Sequence, residues 1–239
     1  MHLVISQPMF LPWVGLVDQI RLADVFVHYD DVQMPRGRSF ISRVQIKLAD
    51  GIRWLTAPLD RKNSGTNINE IQLLGDEKWR RKHIATLRHA FANAPHLEDM
   101  MELVEEIYGS KEKNLAKFNE MSLERIASYF GISAEFHRSS DLGIGGKSTQ
   151  RLIEICKYFG ASEYITGHGA RNYLDHEAFE HEGIRVSYMR YNYNSWPQLH
   201  GPFTPYVTTL DLIANCGKKG IQYISSGTVD WKEFVNGSR

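Results

Sequence analysis

The sequence predicts an α/β fold, namely a Rossmann-like, mostly parallel sheet with a β-hairpin excursion and a helical insertion. Three observations predict it. Strand-like apolar runs alternate with helical segments at both ends of the chain, an Asp-Gly turn joins two β-rich runs, and residues 76–130 show helical periodicity. We therefore expect one α/β domain in two parts, residues 1–75 and 131–239, with residues 76–130 as an inserted helical subdomain or lid.

The first part opens with a strand, a helix and a second strand. The runs "HLVIS" and "DVFVHYD" are apolar enough for a sheet buried on both faces, and "LVDQIRLA" between them has helical spacing. In "SFISRVQIKLADGIRWLTAPLD", the pair Asp50-Gly51 predicts a hairpin turn. We also expect "NINEIQLL" to add a strand.

The second part returns to alternating elements. After three predicted helices, separated at Pro95 and Gly109, strands are expected at "SAEFHRS", "ASEYITG" and "IRVSYMRY". A helix capped by Ser148 or Thr149 and ended by Gly160 lies between the first two of these strands. The tail "TTLDLIANCGKKGIQYISSG" is predicted to be helical.

Composition argues against several function classes. Lys plus Arg (28) equals Asp plus Glu (28), so no net charge draws the chain to nucleic acid or anionic lipid. No secretory signal and no apolar run of ~18 residues is visible, which predicts a soluble cytoplasmic protein without membrane insertion. Cys156 and Cys216 lack redox or metal spacing and are expected to be core thiols in a reducing compartment. The sequence implies no particular cofactor, and a homo-oligomer is left open.

A proline-rich turn follows the first predicted strand. In "QPMFLPWVG" two prolines fix the backbone at the carboxyl end of a buried strand, where open α/β sheets bind ligands. We predict that Gln7, Pro8 and Trp13 bind substrate, because an amide can read a ligand's donors and acceptors. The alternative is a rigid structural turn.

Charged side chains follow the second predicted strand. "YDDVQ" places Asp30 and Asp31 at the same sheet edge as candidate catalytic carboxylates, with Gln33 as a binding residue. The run "PRGRSFISR" then brings Arg43, together with Arg36 and Arg38, as a candidate anion site. A solvated turn and surface ion pairs are the alternatives.

Two segments in the second half carry further candidates. "YITGHGARNYLD" places His168 between two glycines after a strand, as a candidate acid or base, with Asn172 and Tyr173 as binding residues. The irregular, aromatic stretch "YNYNSWPQLHGPFTPYVTTLDLI" is typical of a loop that covers a site, and we expect Gln198 and His200 in it to bind substrate. A strand-end turn with an unconstrained histidine is the alternative at His168.

The stretch "DLGIGGKSTQ" is similar to a phosphate loop but lacks its first glycine, because Asp141 takes that place. A helix start with an adjacent lysine can still hold an anion, so Lys147, Ser148 and Thr149 are candidate phosphate ligands. An ordinary glycine turn and cap is the alternative. No metal site is expected, because the histidines of "HEAFEH" lie five residues apart and diverge on a helix.

Together these segments resemble the WbqC-like family, whose members are associated with bacterial O-antigen and other surface-polysaccharide gene clusters. The matching stretches cover nearly the whole chain and include "QPMFLPWVG", "ADVFVHYDDVQ", "GKSTQRLIEICKYFGASEYITGHGARNYLD" and "PQLHGPFTPYVTTLDLIANCG". The order of elements is also similar to the nucleotidylyltransferases and synthetases of the HIGH-motif superfamily. The histidines of that motif are replaced here by residues 11–15, LPWVG, which argues against adenylation by that mechanism.

The resemblance implies a role in surface-polysaccharide biosynthesis. We expect an enzyme that transfers an acyl or aminoacyl group to a nucleotide-linked amino sugar, with His168 or Asp31 as base and Lys147 at the phosphate. Gln7 and Gln198 would orient the attacking amine. The alternatives are a non-catalytic protein that binds a glycan precursor or a partner enzyme, and an ATP-dependent nucleotidyltransferase.

Overall fold

The computed structural model describes residues 1–35, 37, 39–60 and 66–237, and its centre is a six-stranded sheet. In chain order the strands are β1 (His2–Ser6), β2 (Val25–His28), β3 (Arg43–Leu48), β4 (Gly51–Thr56), β5 (Glu135–Arg138), β6 (Glu163–Thr166), β7 (Arg185–Arg190) and β8 (Gly227–Asp230). The sheet order is β5-β2-β1-β6-β7-β8, parallel throughout except for β8. This order confirms the Rossmann-like prediction.

Helices lie on both faces of the sheet. They are α1 (Val14–Arg21), α2 (Lys78–Ala90), α3 (Leu97–Gly109), α4 (Leu115–Tyr129), α5 (Ser148–Phe159), α6 (His176–His181), α7 (Thr209–Cys216) and α8 (Trp231–Asn236). Because successive strand residues point to opposite faces, the sheet feeds two separate cores. Val4 and Phe26 pack with α1, α4 and α7, whereas Leu3 and Val27 pack with α5 and α6.

The hairpin forms as predicted, with β3 and β4 paired antiparallel around Ala49-Asp50. The expected strand "NINEIQLL" does not form. Its start is a single 3-10 turn, Ile68–Glu70, in which the Asn67 and Glu70 side chains cap each other's backbone N–H groups. The residues after the turn make only isolated bridges, because Leu73 and Gln72 pair with single residues rather than with a strand.

The helical middle of the chain packs into the main core. Side chains of α2, α3 and α4 share one apolar cluster with α1 and α7, and Phe118 of α4 stacks on Phe10 at a ring-centroid distance of 5.7 Å. These helices therefore cover one face of the sheet. The lid role and the boundaries 1–75, 76–130 and 131–239 stay predictions.

The start of α5 differs from the predicted cap. Lys147 holds the N-cap position without a side-chain cap bond, and Ser148 begins the helix at φ +50°. The Thr149 hydroxyl instead accepts a hydrogen bond from the backbone of Asp175, at 3.0 Å. The helix ends at Gly160, as predicted, because a φ of +67° suits glycine.

The C-terminal part contains elements that the sequence did not predict. The tail is helical through α7 and a 3-10 turn at Gly217–Tyr223, and then forms β8 and α8. Both cysteines are free thiols, and Cys156 is fully buried. Within the described ranges, no helix combines the length and apolar character needed to cross a membrane.

Candidate functional site

The candidate site lies where the strand order reverses, between β1 and β6. After β1 the chain crosses to β2, which lies on one side of β1, and after β6 it crosses to β7, which lies on the opposite side of β6. Loops therefore diverge at the carboxyl ends of β1 and β6, and it is in the crevice at such a point that doubly wound sheets bind ligands. Gln7 follows β1 directly, and His168 follows β6 after one glycine.

The loop after β1 is held in place from two sides. From α4, the Asn119 amide donates to the carbonyl oxygens of Pro8 at 3.1 Å and Ile41 at 2.8 Å. From α7, both the backbone N–H and the hydroxyl of Thr209 donate to the Pro12 carbonyl at 2.8 Å. Pro8 itself is buried, whereas Gln7 and Trp13 are half-buried. The loop is thus a rigid mount for the two partly exposed side chains.

Trp13 lies across the first turn of α1. A Cβ at Gly15 would come within 2.2 Å of the indole ring, so this position has to be glycine for the ring to lie there. The indole contacts Tyr191 (5.2 Å between centroids), Tyr206 (5.9 Å) and Tyr193 (6.2 Å). We call these four side chains the aromatic wall. Tyr206 is 61% exposed, so the wall faces solvent on one side.

His168 is fixed by three neighbours. Its Nε2 lies 2.7 Å from the carbonyl oxygen of Met189, and its ring contacts the rings of Tyr191 (5.0 Å between centroids) and Phe234 (4.8 Å). A carbonyl oxygen only accepts hydrogen bonds, so Nε2 carries the proton of the neutral ring. Nδ1 is then the nitrogen with the lone pair, which is the arrangement a general base requires.

Tyr191 connects His168 to α1. The amide of Gln19 donates to the Tyr191 hydroxyl at 2.6 Å, and burial raises the pKa of this hydroxyl well above its ordinary value. Tyr191 is therefore a neutral phenol at physiological pH. Gly167 leaves room for this pair, because a Cβ there would lie 3.2 Å from the Tyr191 oxygen and 3.3 Å from the Gln19 nitrogen.

The two aspartates after β2 make internal contacts. Asp30 is buried and accepts hydrogen bonds from the hydroxyl and the backbone N–H of Ser140, and its Oδ1 lies 3.1 Å from the Ser139 hydroxyl. Asp31 accepts from Ser139 at 2.6 Å and pairs with Arg151 at 2.5 Å. Burial acts to raise the pKa of Asp31, but the hydrogen bonds from Arg151 and Ser139 outweigh it and leave the pKa below its ordinary value.

The consequence is that Asp31 is a weak base. A carboxylate whose pKa is lowered and whose oxygens are already paired has little tendency to take a proton near neutral pH. Asp30 is enclosed and fully engaged with the serines. Both aspartates therefore hold the loops after β2 and β5 together, and His168 is the better candidate base of the three predicted catalytic residues.

Other predicted binding residues near this edge are accessible. Lys147 and Ser148 are exposed at the start of α5, and Asn172 and Tyr173 are exposed next to it. The bond between Thr149 and the backbone of Asp175 brings these two segments together. They form the side of the sheet edge opposite the aromatic wall, since α5 and α1 lie on opposite faces.

Gln33 and Arg43 have described contacts outside the group of residues around His168. Gln33 is exposed and bridges to Asn67, and the Arg43 guanidinium lies 3.9 Å above the ring of Trp54 on the hairpin. Arg36 and Arg38, the other two arginines of the predicted anion site, lie outside the described residues. The structure gives Arg43 an aromatic partner and no described link to His168.

Gln198 and His200 belong to a different network. The Gln198 oxygen accepts from Lys47 at 2.8 Å and from the backbone of Thr204, and its nitrogen donates to Asp211 at 2.9 Å and to the Thr204 carbonyl. His200 hydrogen-bonds the backbone of α2 through the Ala90 carbonyl. Because every group of the Gln198 amide has a protein partner, we leave both residues out of the proposed site.

The described contacts join the turns at the sheet edge into one chain of neighbours. Trp13 contacts Tyr191, Tyr191 contacts His168, and the turn that begins at His168 leads through Asp175 to α5 and its Arg151–Asp31 pair. Two depressions lie elsewhere. One of about 340 Å³ is at the amino ends of β6 and β7, and one of about 410 Å³ is beside α6 and α8.

Sequence reasoning missed the residues that fix this edge. Arg151, Gln19 and Phe234 had no signal in the sequence, because each acts through a partner far along the chain. Tyr191 and Tyr193 stood in the aromatic stretch that was expected to cover a site. Among the described residues, no group of three or more His, Cys, Asp or Glu side chains is placed to hold a metal ion.

The strand order and the crevice define a doubly wound α/β protein with a candidate ligand site at its switch point. The chain belongs to the WbqC-like protein family, whose model matches residues 7–223. It is 32% identical over 222 residues to the uncharacterized protein Rv1507c of Mycobacterium tuberculosis (strain ATCC 25618 / H37Rv), a match that covers 92% of this chain and 96% of the relative. No solved structure matches the chain significantly.

Proposed function

We propose that the protein is an enzyme of surface-polysaccharide biosynthesis that transfers an acyl or aminoacyl group to a nucleotide-linked amino sugar. One observation carries the proposal: His168, with its proton on Nε2, stands beside the aromatic wall at the switch point of the sheet. Its setting combines a base with a surface for rings. We propose the cytoplasm as the location of this reaction, because the nucleotide-linked precursor would be available there.

The aromatic wall suits the base or the sugar of such a ligand. Trp13 and Tyr206 offer ring faces at the edge of the sheet, and Tyr206 is largely exposed. Stacking on such faces tolerates different bases and sugars, while a few polar groups set the orientation. Gln7, half-buried at the end of β1, is the predicted amide for that role.

The phosphates of the ligand would lie on the other side of the crevice. The indole of Trp13 covers the first turn of α1, where many Rossmann proteins hold a pyrophosphate. The start of α5 is the alternative, because Lys147 and Ser148 are exposed there and a helix N-terminus attracts anions. Asn172 and Tyr173 stand beside it and would contact the sugar or diphosphate.

The transfer needs one proton acceptor. As the amine nitrogen of the sugar attacks the carbonyl carbon of the donor, the new amide bond forms and the bond to the leaving group breaks. Nδ1 of His168 would take the proton that the amine loses, and could return it to the leaving group. Asp31, already paired with Arg151, would stabilise the edge without exchanging protons.

Ligand binding and turnover test this proposal separately. Purified protein would be screened by thermal shift with UDP- and dTDP-linked amino sugars, because a ligand bound only to the native state raises Tm. Binding protein would then be incubated with acetyl-CoA or an aminoacyl donor and followed by mass spectrometry. We expect His168→Gln to bind the ligand with turnover reduced about 100-fold or more. Equal turnover of the variant and the wild type would refute the role of His168.

A non-catalytic binding protein is the second candidate. The internal pairing of Asp30 and Asp31 favours it, because it leaves His168 as the one predicted catalytic residue suited to proton transfer. Stabilisation by a nucleotide-sugar without product across the donors supports this alternative. Magnesium-dependent release of pyrophosphate from a nucleoside triphosphate would instead indicate nucleotidyl transfer.

A further inference from the structure

The C-terminal helix α8 reaches the proposed base. Phe234 of α8 packs its ring against His168 at 4.8 Å and stacks on Tyr188 at 4.2 Å with an interplanar angle of 9°. The helix follows β8, the edge strand, and lies beyond residue 223, where the match to the family model ends. An element outside that match thus contacts the imidazole directly.

The contacts of α8 leave Phe234 little freedom. Trp231 stacks on His176 at 4.6 Å and donates to Glu180, and Lys232 pairs with Glu180 at 2.7 Å. Glu233 pairs with Arg190 of β7. These contacts fix the helix at the carboxyl half of β7, whose Met189 carbonyl binds His168. These contacts of α8 therefore hold the ring of Phe234 against the imidazole.

Phe234 also belongs to the packing of the sheet. Its ring is partly buried against the apolar cluster that contains Tyr188, so it is held next to the imidazole by the protein's own core. Among the described contacts, the imidazole would otherwise be held by one ring and one hydrogen bond, and His168 itself is flanked by Gly167 and Gly169 at the start of a 3-10 turn. Such a side chain exchanges readily between rotamers.

We propose that Phe234 is a positioning residue for His168: it holds the imidazole against Tyr191, so that Nε2 stays on the Met189 carbonyl and Nδ1 faces the crevice. Its value for catalysis rests on the proposed function, in which Nδ1 is the base. The positioning itself is a property of the unliganded protein. It can be measured without any substrate.

The test is the Nε2 proton of His168 in NMR spectra of the full-length, ¹⁵N-labelled protein. The hydrogen bond to the Met189 carbonyl slows the exchange of this proton with water, and its signal is assigned by its loss in His168→Gln. In Phe234→Ala we expect this proton to exchange about tenfold faster or more, because the bond opens more often. Phe234→Tyr, which keeps the ring, should restore the slow exchange.

Trp231→Phe is the matched control, since Trp231 lies on the same helix but contacts His176. It should leave the His168 signal unchanged. If Phe234→Ala does not fold, Phe234→Leu removes only the ring and should show the same faster exchange. The positioning role would be overturned if the His168 proton exchanged as slowly in the alanine or leucine variant as in the wild type. It would also be overturned if Trp231→Phe accelerated the exchange as much as Phe234→Ala does.

These outcomes are independent of the proposed function. Faster exchange in Phe234→Ala together with no turnover on any substrate would retain the positioning role and reject the enzyme. Turnover by the wild type, together with unchanged proton exchange in Phe234→Ala, would support the enzyme and reject the positioning role of Phe234. Where turnover is found, we expect kcat to fall in Phe234→Ala with little change in KM and to recover in Phe234→Tyr.

Discussion

Replacing Gly15 by alanine tests the geometry on which the aromatic wall depends. The added Cβ would lie 2.2 Å and 2.3 Å from two carbon atoms of the Trp13 ring, far inside van der Waals contact. The ring must therefore leave the first turn of α1. Its centroid contacts with Tyr191, Tyr193 and Tyr206 would be lost or weakened in the same movement.

The expected magnitude follows from two opposing effects. Alanine in place of glycine within a helix stabilises by about 0.5–1 kcal/mol. Overpacking costs about 1–3 kcal/mol, and each lost aromatic pair costs about 0.5–1.5 kcal/mol beyond its buried area. The loss is larger, so we expect Gly15→Ala to lower the free energy of unfolding by about 1–2 kcal/mol.

A double-mutant cycle isolates the clash with the ring. Urea unfolding would be followed by circular dichroism for Gly15→Ala, Trp13→Ala and the double variant. Without the indole, Gly15→Ala should be neutral or stabilise by up to about 1 kcal/mol, which gives a coupling energy of about 2 kcal/mol. If Gly15→Ala stabilises the wild type as much as it stabilises Trp13→Ala, the ring does not lie over the helix and the aromatic wall is wrong.

Three further outcomes are expected. Asn119→Leu removes the hydrogen bonds to the Pro8 and Ile41 carbonyls and should lower the free energy of unfolding in urea by about 1–3 kcal/mol. An unchanged free energy of unfolding would show that these two carbonyls need no partner. The pKa of Asp31 is lower in the folded protein than its ordinary value of 3.8, so the ionised carboxylate stabilises the fold above that pH, and this stabilisation is lost as the pH falls through the folded pKa. The Tm of Asp31→Asn should therefore lie below the wild-type Tm near pH 7 and converge with it in acid. A difference in Tm that stays constant with pH would contradict this. Lys47 is buried and donates hydrogen bonds to Gln198 and to the Pro202 carbonyl. Lys47→Met should therefore lower the free energy of unfolding by about 1–3 kcal/mol and make the loop around Gln198 more sensitive to proteolysis. Cleavage of this loop at the wild-type rate would contradict the prediction.

The sequence by itself determined the order of the elements and the edge at which the candidate site lies. Apolar runs and helical spacing are local properties, so they predicted β1, α1 and β2, and Asp50-Gly51 predicted the hairpin. The placing of Gln7 and His168 at one edge followed as well, because the carboxyl ends of parallel strands meet at the same side of a sheet.

Only the tertiary structure decided what each side chain at that edge can do. Asp31 and Arg151 are 120 residues apart, and their pairing turns a predicted base into a structural anion. Lys47 and Asp211 similarly use up the amide of Gln198, while the Met189 carbonyl sets the proton of His168 on Nε2. Local pattern fixes backbone conformation, but hydrogen-bond partners and protonation depend on which distant loops fold against each other.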